Sequence, residues 1–212
     1  HAKQVSLPKH KQPINQAVNS LTYFLDQLEL SAEQLGIWTA SITNYSYWFK
    51  RMRLDYDPTK LVGQDNLFRY VVRKDITLRI DTKTPLFEVL CSIAAALTCE
   101  CPLIINYDPK AKHSNIEWKN LSTYLSVIAE SDEEFHERIK HGKIDRIRYL
   151  SNPSKELKLA AAHSGCFLAT APVLANGRFE LLHYLREITI SYNYHRYGNL
   201  GLREGELRKP VV

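Results

Sequence analysis

A strand, a helix and a second strand follow one another within about 30 residues, and this pattern limits the possible folds more than any other feature. Residues 76–80 alternate between apolar and polar side chains, which is typical of a short strand. Thr84-Pro85 supplies a helix cap with proline at the first helical position, and apolar residues recur at helical spacing over 86–97. The apolar run 102–105 predicts a strand covered on both faces. Together these elements predict a right-handed βαβ unit.

The same rhythm returns in the second half of the chain. The sequence predicts strands over 146–150, 167–171 and 188–194, the last of them half-buried with strict period two. It predicts helices over 154–164, ending at Gly165, over 121–139 with a restart at Ser131, and around 179–185 after the Asn176-Gly177 turn. We therefore expect an α/β, Rossmann-like fold with a mostly parallel sheet and helices on both faces.

Two amphipathic helices are predicted before this layer. Apolar residues recur every three or four positions over 14–28. The second helix has a capping box at Ser31 and Gln34, and its apolar stripe runs to Met52. The expected organisation is an N-terminal segment and helical arm over 1–57, a Rossmann-like domain over 58–186, and a C-terminal strand and tail over 187–212.

Charge and composition exclude several classes of protein. The 212 residues are 44% hydrophobic and 24% charged, with 28 Lys+Arg interspersed with 23 Asp+Glu, whereas a nucleic-acid module usually has a clustered basic stripe. We expect the basic ends, 3–11 and 203–209, to be solvated tails. No apolar run approaches the ~20 residues of a membrane span.

The chain begins with His1 and has Met52 as its only methionine, which predicts a piece of a longer protein. Residues 1–13 lack the apolar core and cleavage site of a secretory leader, although a leader already removed would leave no trace here. Four cysteines are too few for a disulfide scaffold, so reduced thiols and a cytoplasmic location are expected.

The predicted strand-to-helix turns lack the residues that bind a dinucleotide. Such a turn normally carries glycines, because only bare backbone can approach a pyrophosphate at a helix N-terminus. The turn at 81–85 has no glycine, an acid and a proline, and the turn at 150–154 fails on the same grounds. We expect a Rossmann-like scaffold that binds no nucleotide.

Four other groups of residues have both a chemical and a structural interpretation. Cys99 and Cys101 could suggest zinc, but no second ligand pair is evident, and small buried thiols are favoured. A Cys166 nucleophile beside His163 is disfavoured against a helix end followed by a buried strand. The acidic residues of 132–137 are expected on a solvated helix face. The tyrosines of 192–197 resemble a single-strand nucleic-acid platform, although a half-buried strand is favoured.

Three segments carry a resemblance to a known family. They are the polar octet 63–70, the segment 173–182, and 185–187 running to 195–200 with its terminal glycines. These segments resemble the C-terminal portion of long proline utilization A proteins, bacterial enzymes that join an FAD-dependent proline dehydrogenase to an NAD-dependent L-glutamate γ-semialdehyde (Δ1-pyrroline-5-carboxylate) dehydrogenase. The resemblance extends over about 35–201 and is most specific near the end of the chain.

The resemblance implies a truncated aldehyde-dehydrogenase-superfamily domain that has lost its chemistry, packs on the catalytic aldehyde dehydrogenase domain of the same parent chain and helps to close the cavity through which the intermediate passes. NAD and FAD would then belong to the parent, and this segment would hold no catalytic residue, cofactor or metal and would contact neither nucleic acid nor membrane. The implied lid residues are Arg186, Tyr194, His195, Arg196, Tyr197, Gly198, Asn199 and Leu200. The implied interdomain residues are Gln64, Asp65, Asn66 and Arg69.

The cysteines agree with this interpretation. An aldehyde dehydrogenase needs a thiolate nucleophile after a Gly-Gln step, and the only Gly-Gln here precedes Asp65. The leading hypothesis is a noncatalytic cover domain. The alternatives are an independent NAD-dependent aldehyde dehydrogenase and a basic nucleic-acid-binding module.

Overall fold

A computed structural model describes residues 14–25, 28, 30–74, 76–111 and 114–208 of the chain. Its strands are β1 (Gln64–Val72), β2 (Ile76–Ile80), β3 (Leu103–Tyr107), β4 (Leu125–Ala129), β5 (Arg146–Tyr149), β6 (Phe167–Ala169) and β7 (Leu185–Asn193). Its α-helices are α1 (Gln16–Leu25), α2 (Ala32–Met52), α3 (Leu86–Thr98), α4 (Asp132–Lys140), α5 (Lys155–Ser164) and α6 (Gly177–Glu180). Short 3₁₀ helices occupy Trp118–Asn120, Leu181–His183 and Gly201–Arg203.

A five-stranded parallel sheet forms the centre of the molecule, in the order β4-β3-β2-β5-β6. The chain winds outward from β2 in both directions, so the order of connection reverses between β2 and β5. This is the doubly wound, Rossmann-type arrangement. All five residues of β2 are buried, as expected for a central strand covered on both faces. The predicted fold class is confirmed.

The sheet separates two apolar cores. On one face α1, α2 and α3 pack together, and every residue of α3 from Val89 to Thr98 is buried. On the other face α4 and α5 pack on β5 around Phe135 and Ile147. The helices of the N-terminal arm therefore share a core with the sheet. No helix among the described residues is both long and apolar enough to cross a membrane.

Most of the predicted helix ends are confirmed. Ser31 and Gln34 form the capping box of α2, and Gly165 ends α5 with a positive φ of 72°, where a glycine carries no steric penalty. The predicted cap of α3 is wrong. Pro85 occupies the N-cap position, and the Thr84 hydroxyl bonds to Asp81 instead.

Two strands occur where the sequence analysis predicts no strand. Residues 64–72, for which the sequence analysis gives no strand prediction, form β1. Within the predicted helical stretch 121–139, residues 125–129 form β4, and α4 begins only after Ser131. A short apolar run such as Leu125–Ala129 has no periodicity that separates a strand from a helix, and the parallel edge offered by β3 decides the outcome.

β1 and β7 form a separate antiparallel ribbon. Nine residue pairs run from Gln64 opposite Asn193 to Val72 opposite Leu185. The predicted half-burial of β7 is wrong, since only Leu185 is buried and Ile188 partly buried, while the other residues are exposed. Over most of β7 no other described layer covers the ribbon.

Candidate functional site

The carboxyl ends of β2 and β5 flank the point where the strand order reverses, which is where open α/β sheets bind ligands. The carboxylate of Asp81, directly after β2, lies in that crevice and accepts hydrogen bonds from residues that follow β2 and from residues at the end of β5. Its Oδ2 accepts hydrogen bonds from the hydroxyls of Tyr149 (2.7 Å) and Ser151 (2.6 Å), on the far side of the crevice. Its Oδ1 accepts from the Thr84 hydroxyl (2.7 Å) and the Lys83 amide (2.8 Å).

These four donors keep Asp81 ionised. Burial acts to raise the pKa of the Asp81 carboxyl, but the hydrogen bonds from Ser151, Thr84, Tyr149 and Lys83 outweigh it and leave the pKa below its ordinary value. Burial, together with the hydrogen bond to Asp81, raises the pKa of Tyr149, so this hydroxyl stays a donor. The crevice therefore contains a fixed negative charge supplied by the chain itself.

The two other helix N-termini at this edge are also occupied by side chains. Ser154 accepts from the Leu157 amide at the start of α5 (3.1 Å), and Ser131 and Glu134 form a capping box at the start of α4. Asp132, in the first turn of α4, forms an ion pair with Arg79. One amide in the first turn of α4 and one in the first turn of α5 therefore already have a side-chain acceptor, whereas the start of α3 has no side-chain cap.

The turn between β2 and α3 has two features that are unfavourable for a nicotinamide dinucleotide. The pyrophosphate of such a cofactor would meet the ionised Asp81 and, at the start of α3, Pro85, which has no amide hydrogen. Glu88 adds a further acid in the first turn of that helix. The acid and the proline of the turn were visible in the sequence; the closure of the crevice by Tyr149 and Ser151 was not.

Arg79 organises the neighbouring strand ends. This fully buried side chain donates to Asn106 on β3 (2.5 Å), to the Glu130 carbonyl after β4 (2.9 Å) and to Asp132 (2.6 Å), and its guanidinium lies 4.7 Å from the centre of the Phe135 ring. The carboxyl edge is therefore tied together by ionic and polar contacts of the chain itself. No sequence signal marks Arg79 as buried, because an arginine at a polar position of an alternating strand suggests an exposed side chain.

The thiols are poorly suited to catalysis. All four cysteines are buried and free of disulfides. Burial raises the pKa of Cys91 to about 12, that of Cys166 to about 11, and that of Cys99 well above its ordinary value. A nucleophilic or metal-binding cysteine requires the thiolate form, which these surroundings disfavour. Among the described residues, no group of three or more His, Cys, Asp or Glu side chains is arranged to hold a metal.

A tight turn follows the ribbon. Arg196 and Asn199 exchange two backbone hydrogen bonds of 3.0 Å, and the central residues Tyr197 and Gly198 both have positive φ, as a type I′ turn requires. The Tyr197 side chain is 99% exposed at the tip. The turn is fixed to the start of β1 because the His195 amide donates to the Gly63 carbonyl. Gly63 has a φ of 87°, which residues with a side chain rarely adopt, and a Cβ there would also lie 2.9 Å from the His195 ring, so this position favours glycine.

The chain then folds back on β1 instead of forming the predicted solvated tail. Arg203 donates two hydrogen bonds to Asp65, at 2.7 and 3.0 Å, and Arg208 contacts Asp65 and Asp57. The Arg203 guanidinium also lies 3.9 Å from the centre of the Tyr194 ring. The Arg203 contacts, acting against burial, hold the pKa of Asp65 well below its ordinary range. The other basic segment, 3–11, and Lys209 lie outside the described residues.

The structure brings most of the predicted lid and interdomain residues to one end of the ribbon. Asn66 accepts from Ser191 (2.6 Å), and Arg69 forms an ion pair with Asp55. Arg69 and Arg186 are the exceptions, because they lie farther along the ribbon, in the pairs Arg69–Ile188 and Val71–Arg186. The residues gathered with the turn are Gln64, Asp65, Asn66, Tyr194, His195, Arg196, Tyr197, Gly198, Asn199 and Leu200.

Comparison with solved structures identifies the fold. Proline utilization A from Corynebacterium freiburgense superposes with a TM-score of 0.56 at 21% identity, over 92% of this chain and 16% of that one. Methylmalonate-semialdehyde dehydrogenase from Oceanimonas doudoroffii gives 0.56 at 11% identity, over 76% of this chain and 38% of that one. An NAD-dependent benzaldehyde dehydrogenase from Corynebacterium glutamicum gives 0.53 at 15% identity, over 74% and 38%.

No family model and no curated protein matches the sequence. The chain spans about a sixth of the proline utilization A protein and less than half of the aldehyde dehydrogenases. These likenesses and the strand order agree: the protein has the Rossmann-type α/β fold of aldehyde dehydrogenases.

Proposed function

We propose that this chain is a noncatalytic C-terminal domain of a bifunctional proline-catabolic enzyme, which packs on the NAD-dependent aldehyde dehydrogenase domain and closes the cavity between the two active sites. The observation that carries the proposal is the Asp81 carboxylate, held by four donors in the crevice where a cofactor phosphate would have to bind. A domain that keeps the scaffold and fills the crevice with its own acid is suited to a structural role.

The thiols support the same proposal. Oxidation of an aldehyde by this superfamily's route needs a thiolate to attack the carbonyl carbon. Buried cysteines with raised pKa values do not supply one. In the parent protein, NAD, FAD and the chemistry would therefore belong to domains outside this segment.

The ribbon and the turn are the proposed contact surface. Ile190, Tyr192 and Leu202 are exposed there together with Tyr197, so apolar side chains are directed away from the rest of the domain. A two-stranded ribbon is marginal on its own in water, and apolar exposure of this kind marks an interaction site. The proposed partner is the catalytic domain of the same cytoplasmic chain, with no nucleic acid or membrane involved. Excluding water and exit routes there would keep a reactive aldehyde near its next active site.

The test is a kinetic lag in the parent enzyme. Tyr197→Ala removes an exposed side chain at the tip of the turn, so the fold should be unaffected. We expect NADH formation from proline to begin with a lag, while the rate with the aldehyde intermediate supplied directly is unchanged. Tyr23→Ala is the matched control, since Tyr23 is an exposed tyrosine on α1, and it should show no lag.

Absence of a lag in both Tyr197→Ala and a Tyr197→Ala/Leu202→Ala double variant would refute the cover role. The independent-enzyme alternative makes a separate prediction. The 212-residue chain supplied with NAD and an aldehyde should form no NADH, and saturable NADH formation would overturn the noncatalytic assignment.

A further inference from the structure

A pocket of about 400 Å³ lies at the amino edge of the parallel sheet, opposite the crevice described above. It lies between the end of β1, the start of β7 and the first residues of β5 and β6. Four cations line it, and the only acid among its described lining residues is Asp145. The cations are Arg73, Lys74, Arg146 and Arg186.

These cations have no ion-pair partners among the residues that the structure describes. The buried arginines of β2 and β5 differ from these four cations, because Arg79 and Arg148 each form an ion pair with a carboxylate. Burial, together with the charges of Arg73 and Arg148, lowers the pKa of Arg146 to about 10. Such a gathering of like charge lowers stability unless an anion offsets it.

Two of the guanidinium groups are already held in place. Arg73 donates from Nε to the Leu185 carbonyl at 3.0 Å, which fixes the group at the start of β7. The Arg146 guanidinium lies 4.1 Å from the centre of the exposed Phe167 ring. Because their positions are set by the fold, a ligand would lose little freedom on binding them. Lys74 and Arg186 are exposed and can close on it from the outer side.

We propose that this pocket is a binding site for a phosphate or pyrophosphate group, carried by a small molecule or present as the free ion. The planar donor array of arginine matches phosphate oxygens, and a group with two or more negative charges would neutralise several of the cations at once. A single carboxylate would neutralise only one. The pocket is also concave and within the size range of small-molecule sites.

The test is calorimetric titration of the 212-residue chain with inorganic pyrophosphate at low ionic strength, with phosphate and ADP as further probes. We expect saturable binding of pyrophosphate that weakens as salt is added. ADP binding more tightly than pyrophosphate would identify an ester as the ligand, with the Phe167 ring as the surface for its base. ADP binding no better would identify the free ion.

Two charge-matched variants separate a site from a general charge effect. Lys74→Gln/Arg186→Gln removes two exposed cations of the pocket and should weaken pyrophosphate binding at least about tenfold, because a hydrogen bond to a charged group is worth about one decade in affinity. Lys155→Gln/Lys158→Gln removes the same charge from the exposed first turn of α5 and should leave affinity unchanged.

Three results would overturn the proposal. They are an absence of saturable heat with the wild-type chain, an equal loss of affinity in the two double variants, and binding of a hexaglutamate peptide without binding of pyrophosphate. The last result would assign the pocket to an acidic protein segment. None of these measurements depends on the lag assay, so this proposal and the cover role can fail separately.

Discussion

Glu180→Ala should destabilise the domain strongly, because it removes the counter-ion of a fully buried arginine. Arg148 Nη2 lies 3.3 Å from Glu180 Oε1, and the two side chains are 1% and 0% exposed. Glu180 also accepts from the Leu174 amide at 2.9 Å, so the variant leaves both a cation and a backbone donor without this acceptor.

The size of the effect depends on the hydrogen bonds that Arg148 keeps in the variant. Breaking a buried pair by removing one partner costs about 3–5 kcal/mol. Nη1 of Arg148 still donates to the carbonyls of Ala171 (2.5 Å) and Ala169 (3.4 Å), so we expect the lower end, about 3 kcal/mol. For a chain of this length that corresponds to a fall in Tm of roughly 6–12 °C. Urea unfolding followed by circular dichroism measures the free energy, and an unchanged m value shows that the two-state comparison holds.

Two companion variants isolate the cause. Burial raises the pKa of Glu180 against the opposing effect of Arg148, so the buried pair as a whole contributes little net stability. Glu180→Gln also removes the counter-ion but keeps an acceptor for the Leu174 amide, so it should be destabilised by about 1 kcal/mol less than Glu180→Ala. Arg148→Met/Glu180→Leu removes both charges and should be less destabilised than Glu180→Ala. A Glu180→Ala chain within about 1 kcal/mol of wild type would refute the reasoning.

Three further outcomes follow from the structure. Gly177→Ala should destabilise the domain by about 1–3 kcal/mol in urea unfolding, since its Cβ would lie 2.9 Å from backbone atoms of α2. Gly36, within α2, has open space around it, so Gly36→Ala should stabilise the domain by roughly 0.5–1 kcal/mol. Effects of the same sign in the two variants would contradict this reasoning. Asp81→Asn should lower the free energy of unfolding by about 1–3 kcal/mol at pH 7. Because the pKa of Asp81 is lowered in the fold, the difference in unfolding free energy from wild type, measured by urea titration, should become smaller as the pH falls below about 4. A difference that stays constant with pH would exclude the ionised Asp81 carboxylate as its source. Burial, with the charges of Arg148 and Arg146, lowers the pKa of His183 from 6.5 to about 4, so between these two pH values the unfolded chain binds a proton that the folded chain does not. The Tm of the wild-type chain should therefore fall as the pH is lowered from 6.5. An equal fall in Tm of the His183→Gln variant would exclude this histidine as the cause.

The sequence predicted those parts of the fold that have local signals. The Ser31–Gln34 capping box, the Gly165 C-cap and the period-two pattern of residues 76–80 each act within a few residues, and all appear in the structure. β1 has no such signal. Its residues other than Asp65 are only partly buried, and its pairing partner lies more than a hundred positions along the chain.

The candidate site likewise has one feature that the sequence shows and contacts that only the fold creates. Asp81 was visible as an acid where a dinucleotide fold needs a glycine. Its contacts with Tyr149 and Ser151 join residues about 70 positions apart, and only the order of the parallel strands brings them together. Arg146 begins β5, Arg73 follows the end of β1, and Arg186 lies in β7, so no sequence window contains the cluster.

The pairing of β1 with β7 also has a consequence for biosynthesis. β1 leaves the ribosome early, while β7 follows only after all five strands of the parallel sheet have been made. Until then, the nascent chain presents β1 with one row of backbone donors and acceptors unpaired, which can template association with other chains. Such long-range closure is slow because so much intervening chain must first be ordered. Nascent chains that contain β1 but not yet β7 are therefore the stage of synthesis at which aggregation is most favoured.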